Sequence, residues 1–234
     1  MTDLALALDG IVVVEGAAGV GKTSSATELA IDSGLRCAYF QLPTRAGRFD
    51  LRASLYQAVT GETAARGRVP QHRMTSTILD ALSGGDVLVL ADDIHLGGTD
   101  GIQELRWFWD QVVMERGEDA RGFPMWLIGV DVVRAIAKSA ELTSRVLAWT
   151  TVKPLTLAQL LPVVARLDGR LAVTDDDLIG RLNDQAGGNL RNWDALVREL
   201  RGTWPDANGP VTEKEAESLL GNKPDFSARA RRSR

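Results

Sequence analysis

The sequence predicts an α/β fold with a five-stranded parallel sheet and flanking helices, followed by a small C-terminal helical bundle. Three observations carry this. Apolar runs of strand length alternate with helix-patterned segments over the first two thirds of the chain, the pattern of consecutive β-α units. A glycine-rich stretch, Gly16-Ala17-Ala18-Gly19-Val20-Gly21-Lys22-Thr23, joins the first strand to the first helix. Beyond Pro154 the pattern is helical only.

The glycine-rich stretch fits G-x-x-x-x-G-K-[ST], the phosphate-binding loop of nucleotide hydrolases. Ile11-Val12-Val13-Val14 before it is a β-branched run that reads as a buried strand, and Ala26, Leu29 and Ala30 after it recur at helical spacing. Glycines let the backbone turn its N–H groups toward phosphate oxygens, and a helix N-terminus adds partial positive charge. Lys22 is placed to reach the β- and γ-phosphates, and the Thr23 hydroxyl to bind Mg²⁺. The candidate nucleotide-binding residues are therefore Gly16, Ala17, Ala18, Gly19, Val20, Gly21, Lys22, Thr23 and Ser24, with ATP and Mg²⁺ as the expected cofactors.

A chain of 234 residues accommodates one such domain and a small appendage. Hydrophobic residues at 44 % and charged residues at 25 % are ordinary globular proportions. A net charge of −4 gives no global basic signature, so any nucleic-acid contact must come from a local patch. The single cysteine, Cys37, excludes an intramolecular disulfide and reads as a small core residue of a strand. With His72 and His95 as the only histidines, a His/Cys metal cluster is excluded. No leader pattern and no apolar stretch of membrane-spanning length is apparent, so the expected location is cytoplasmic, without a membrane partner.

In chain order, Leu4, Leu6 and Leu8 alternate with other residues in a short lead that forms a strand or covers the sheet. Gly34 closes the first helix. Leu35 to Leu42 reads as the second strand, stopped by Pro43; a helix containing Ser54 to Val59 ends at Gly61; residues 61–72 read as a polar loop, and a helix runs from about Gln71 to Leu82. Then Asp86-Val87-Leu88-Val89-Leu90-Ala91 runs into Asp92-Asp93-Ile94-His95. A buried strand ending in paired acids is the second signature of a nucleotide site. Asp92 is placed to hold Mg²⁺ through water, and Asp93 to orient and deprotonate the attacking water. The alternative is a strand followed by a solvated acidic turn. The next helix carries Ile102, Leu105, Trp109, Val112 and Val113 on one face, widened by Trp107 and Phe108, a core face or a subunit contact. Phe123 to Val130 is a further buried strand with Asp131 past its end, and a short strand near Ala148–Val152 is the last.

The helical part shows capping boxes at Thr156/Gln159 and Thr212/Glu215, a cap at Thr174, and a break at Gly187-Gly188-Asn189. Pro162 predicts a kink. Lys223, Arg229, Arg231, Arg232 and Arg234 make residues 222–234 a basic tail with disordered composition. The expected domains are 1–153, 154–221 as the helical subdomain, and 222–234 as the tail.

These residues resemble a family. The phosphate loop, the Asp92-Asp93-Ile94-His95 turn and the C-terminal helices look like an AAA+ ATPase, a P-loop NTPase with a helical lid. More narrowly they resemble the TniB-type and phage Mu B-type transposition ATPases and the related ExeA-like group, over roughly residues 8–200. The acid-x-His turn followed by Leu105-Arg106, the stretch Leu142-Thr143-Ser144-Arg145 before Pro154-Leu155, and Gly187-Gly188-Asn189-Leu190-Arg191 carry the narrower match.

The resemblance implies an ATPase converting ATP and water to ADP and phosphate. Arg145 would be the arginine finger reaching a neighbouring subunit's γ-phosphate, Arg191 would be sensor 2, and Asp131 would occupy the sensor-1 region. The alternative for each arginine is a surface or lid ion pair. The resemblance further implies ATP-dependent self-association into a ring or filament, duplex DNA as a partner, and recruitment or regulation of a transposase. Arg45, Arg48, Arg52, Arg66 and Arg68 are candidate DNA contacts, or else a solvated surface. The alternatives are an ExeA-type regulatory switch without DNA and a replicative helicase loader. Two departures stand out: Asp93 replaces the usual Glu and is one methylene shorter, which predicts slow hydrolysis, and Asp131 replaces the usual Asn or Thr.

Overall fold

The computed structural model describes residues 10–65, 67–117 and 122–221. The expected lead strand before residue 10, Arg66 and the basic tail lie outside the described residues. The chain divides into two units, one formed by Met1–Ala18 and Lys22–Val152 and the other by Gly19–Gly21 and Lys153–Arg234.

The first unit holds β1 (Ile11–Glu15), β2 (Arg36–Gln41), β3 (Val87–Asp92), β4 (Met125–Gly129) and β5 (Val146–Thr151), all parallel, in the order β2-β3-β4-β1-β5. Helices α1 (Lys22–Asp32), α2 (Arg48–Thr60), α3 (Gln71–Ser83), α4 (Gly98–Arg116), α5 (Val132–Ile136) and α6 (Ala140–Thr143) connect them. Strands covered on both faces must be apolar throughout. β1 and β3 meet that demand: Ile11, Val12, Val13 and every residue from Val87 to Ala91 are fully buried.

Strand pleating sends alternate residues into two cores. Ile11, Val13, Val89, Ala91 and Leu127 pack with Leu51, Leu55, Met74, Ile78, Leu105 and Phe108 of the helices on one face. Val12, Val14, Leu88, Leu90, Trp126 and Ile128 pack with Ala26 and Ala30 of α1 on the other. The buried face of α4 runs through Gly101, Ile102, Leu105, Phe108 and Val112; Trp107 is 37 % exposed.

The expectation that Cys37 is a core residue is corrected: it is exposed. β2 is an edge strand, and only Ala38 and Phe40 turn inward, leaving Cys37 and Tyr39 on the uncovered side. Sequence pattern marks a strand but does not say which strand ends a sheet.

The second unit comprises α7 (Leu157–Leu167), α8 (Asp176–Ala186), α9 (Leu190–Thr203) and α10 (Glu213–Gly221), around Leu160, Val164, Ile179, Leu182, Trp193, Leu196 and Ala216. α7 opens with the Thr156/Gln159 capping box and runs on as one helix through Pro162. The cap of α8 is Asp175, whose side chain accepts from the Asp177 N–H, and not Thr174. The Thr174 hydroxyl instead donates to the Arg170 carbonyl (2.7 Å) and accepts from the Val211 N–H (2.9 Å), a tertiary use that its position next to the helix start concealed. At Gly188 the backbone is left-handed (φ +66°), and an added Cβ would lie 2.6 Å from the Leu155 carbonyl oxygen, so this close approach requires glycine.

Candidate functional site

In a parallel sheet all strand C-termini point one way, and ligand sites form there. Register decides which residues meet. Gln41 pairs with Asp92 across β2 and β3, and Glu15 pairs with Gly129 across β1 and β4. The loop after β1 and the acids ending β3 thus leave the sheet at the same edge.

The loop is locally built for an anion. Gly16 is buried, its N–H donating to the Gly129 carbonyl (3.3 Å). Gly19 and Gly21 are left-handed (φ +82° and +94°), conformations that other residues adopt only with strain. α1 begins at Lys22, so Lys22, Thr23 and Ser24 form the helix turn whose N-terminal end favours an anion. Lys22 is 7 % exposed, and its ammonium donates to the Gly16 (2.9 Å) and Ala17 (2.8 Å) carbonyls, which holds it over the loop.

Two acids at the end of β3 have different settings. Asp92 is 5 % exposed; its Oδ2 accepts from the Thr23 hydroxyl (2.6 Å) and the Tyr39 hydroxyl (3.3 Å), and its Oδ1 from the Asp93 N–H (2.8 Å). Asp93 is half-buried and left-handed (φ 50°), and its Oδ2 accepts from the Gln41 side-chain amide (2.7 Å). Tyr39 is 41 % exposed, yet its hydroxyl donates to Asp92. Burial first, and then the charge and hydrogen bond of Asp92 and the charge of Asp93, push that hydroxyl up to about 12.

Gln41 and Tyr39 were not legible as site residues. Their only signal is their alternate positions in β2, and that becomes meaningful once β2 is known to pair in register with β3.

The residues present fit Mg²⁺ and a polyphosphate. Among the described residues no group of three His, Cys, Asp or Glu side chains could hold a metal by itself. Thr23 and Asp92 therefore suit an ion that takes its remaining ligands from phosphate and water, the usual mode of Mg²⁺.

His95, two residues past Asp93, packs against β4: a Cβ added to Gly129 would lie 2.7 Å from its Nδ1. That nitrogen is buried with no hydrogen-bond partner among the described residues. Asp131, exposed and left-handed (φ 53°), occupies the N-cap position of α5 two residues beyond β4.

Arg145 is not with these groups. It precedes β5, whose Val146 is level with Ile11 and whose Thr151 is level with Glu15. Arg145 thus sits at the opposite end of the sheet from the loop, about 17 Å away by strand rise. Its Nε pairs with Asp110 Oδ1 (2.8 Å). Arg191 is the second residue of α9, in the second unit, its N–H held by the Asn189 cap (3.0 Å). Of the candidate DNA contacts, Arg48 pairs with Asp100 (3.3 Å) and Arg52 with Glu104 (2.9 Å), the latter at side chains 19 % and 9 % exposed. Arg45 and Arg68 remain exposed.

The family described as an AAA domain matches residues 7–136. No curated protein matches the chain. Among solved structures, the chain is similar to the Aeropyrum pernix ORC2 protein in its ADP form (15 % identity, 92 % of this chain and 63 % of that one, TM-score 0.69). It is also similar to the Thermotoga maritima RuvB Holliday junction branch migration motor (16 % identity, 97 % and 70 %, TM-score 0.64). A third likeness is to the Aeropyrum pernix ORC1 protein in complex with DNA (16 % identity, 94 % and 63 %, TM-score 0.66). The chain spans less than two thirds of the two ORC chains, and at these identities the likeness is one of fold. That fold, a five-stranded parallel sheet with flanking helices, is the one expected of a P-loop AAA+ NTPase. No helix among the described residues is long and apolar enough to cross a membrane.

Proposed function

The chain belongs to the AAA domain family, and from that premise we propose that it binds Mg²⁺–ATP at Gly16–Ser24 and Asp92, hydrolyses it slowly, and acts as an oligomeric switch on DNA of the TniB or Mu B kind. The observation that carries the nucleotide part is the 2.6 Å contact between the Thr23 hydroxyl and buried Asp92, beside a lysine held over a glycine-turned loop. Lys22 would meet the β- and γ-phosphates, Thr23 and Asp92 would hold the ion, and the ion would neutralise charge developing on the phosphate oxygens.

Asp93 would take the proton of the attacking water. Its carboxylate is one methylene shorter than the usual Glu and is held by Gln41. Both features keep it back from the water and support slow turnover. Asp93→Glu is expected to raise turnover at unchanged ATP affinity; a lower rate in that variant would overturn the assignment.

The position of Arg145 supports self-association if this residue is the finger. An arginine at the far end of the sheet cannot serve its own loop, so a finger role requires a neighbour. Arg191 would have the sensor-2 role that the resemblance implies. DNA binding and transposase recruitment rest on the family resemblance, with the likeness to a DNA-bound ORC1 and a branch migration motor in support. A second reading, an ATP switch gating a protein partner without DNA, is favoured by the pairing of Arg48 and Arg52 with acids, which removes two candidate phosphate contacts.

Electron microscopy with a non-hydrolysable ATP analogue, with and without duplex DNA, tests both. DNA-dependent rings or filaments whose formation falls steeply with salt support the DNA reading. Assemblies indifferent to DNA support the second, and particles that stay monomeric with the analogue overturn the oligomeric switch.

A further inference from the structure

We propose that Asp110 is a positioning residue that presents Arg145 to the neighbouring protomer's nucleotide; this rests on the reading of Arg145 as a finger in trans. The structure builds a socket around this arginine. Asp110 Oδ1 pairs with the Arg145 Nε (2.8 Å), while its Oδ2 takes the Arg106 Nη1 (3.0 Å), so one carboxylate is fixed from both sides. The Glu141 carbonyl accepts from the Arg145 Nη1 (2.5 Å). The guanidinium also lies over the Trp109 ring, 6.0 Å from its centroid. That ring is itself anchored, its Nε1 donating to the Phe123 carbonyl (3.2 Å) and its edge packed against Gly122, where a Cβ would lie 2.3 Å away.

The segment bearing Arg145 is clamped to α4 at a second level. Ser139, 3 % exposed, caps α6 and accepts from the Gln103 side chain (2.9 Å), and Gln103 accepts from the Arg106 Nε (2.8 Å). Arg106 therefore joins both clamps.

The Arg145 side chain is 29 % exposed and that of Asp110 23 %. A partly exposed ion pair is worth less to stability than a fully buried one. Its effect is geometric. A guanidinium is a planar fork of five N–H donors. Asp110 and Glu141 take the Nε edge and one Nη1 direction, and no other side chain or carbonyl among the described residues takes the remaining donors. An arginine on a free side chain must lose rotamer freedom when it meets a phosphate, whereas one already seated does not. Asp110 offsets part of the charge of Arg106 and Arg145, and the Glu141 carboxylate lies close enough to both arginines to offset more of it, so what the socket supplies is orientation and not an excess of charge.

The test is complementation between two variants. An acceptor, Arg145→Ala, has a nucleotide site and no finger; a donor, Asp93→Asn, has a finger and a silenced site. Neither hydrolyses ATP alone, and mixing restores turnover if the finger acts in trans. A mixture that restores nothing overturns the finger reading and this proposal with it. If turnover is restored, the donor is replaced by Asp93→Asn/Asp110→Asn. The expected result is a fall of at least about tenfold in turnover at saturating donor, with the donor concentration for half-maximal effect and the acceptor's KM for ATP unchanged, and partial recovery with Asp110→Glu in place of Asp110→Asn. Full turnover with the Asp110→Asn donor overturns the proposal. So does a loss that appears only as a raised half-maximal concentration, which would make Asp110 a docking residue. Circular dichroism melts of each donor establish that it is folded.

Discussion

Two ionic networks, one in each unit, use the same residue types to different ends. In the helical unit Arg170 pairs with Glu215 (2.7 Å) at side chains 13 % and 10 % exposed. Glu215 also accepts from the Thr212 N–H (2.8 Å) and hydroxyl (2.9 Å), and Asp168 accepts from the Arg201 Nε (2.8 Å) and the Arg170 N–H (2.9 Å). Burial alone would raise both carboxyls; the hydrogen bonds and charges of their partners outweigh it and hold both below the usual carboxylate range. In the α/β unit, Arg106, Asp110 and Arg145 are a quarter to a third exposed, and the network ends on an arginine with donors to spare. A buried network whose carboxylates are saturated ties segments together. A partly exposed network whose terminal arginine is bonded on one edge only, among the described residues, can hold that cation ready for something else.

That contrast predicts where each change is felt. The largest effect belongs to Arg145→Ala: turnover should fall roughly a thousandfold or more, as for loss of an arginine finger, with protection of the sheet amides from hydrogen exchange unchanged. Turnover within a factor of a few of the unaltered protein would make the Arg145 network merely structural and erase the contrast.

Next comes Glu215→Ala. Removing one partner of a buried pair costs about 3–5 kcal/mol. Hydrogen exchange should show that loss in α8 and α9 with little change in β3, and an equal loss in both units would mean that the networks are not separate.

A smaller effect follows from acid. The folded carboxyls of Asp168 and Glu215 lie below their unfolded values of about 4. Their stabilisation is therefore complete above about pH 4 and is lost as pH falls through the folded values. Exchange protection of α8 and α9, corrected for the intrinsic pH dependence of exchange, should decline below about pH 4, less steeply in Glu215→Gln; identical slopes would contradict the assignment. The smallest effect is that of Asp110→Asn on stability, within about 1 kcal/mol by denaturant unfolding. A loss of several kcal/mol would place Asp110 with the helical network in kind.

The candidate site was legible to different depths. Gly19, Gly21, Lys22 and Thr23 could be placed because their geometry is local: left-handed turns, a helix start and two side chains within a single loop. Asp92 could be read from the strand that delivers it. Gln41 and Tyr39 could not, since what brings them to Asp93 and Asp92 is the pairing of β2 with a strand some fifty residues away. Cys37 was misread and Thr174 misassigned for the same reason, each being decided by a neighbour distant in sequence.

By itself the sequence determined the strand–loop–helix unit, the acids that end β3, the apolar strands of the parallel sheet, and the capping boxes at Thr156 and Thr212, because periodicity, φ preference and capping act within a few residues. The tertiary structure alone decided the strand order, the edge position of β2, the seating of Arg145 by Asp110 and the distance of Arg145 from the loop. Those depend on register and on helix packing, where contacts form between residues that no local pattern connects.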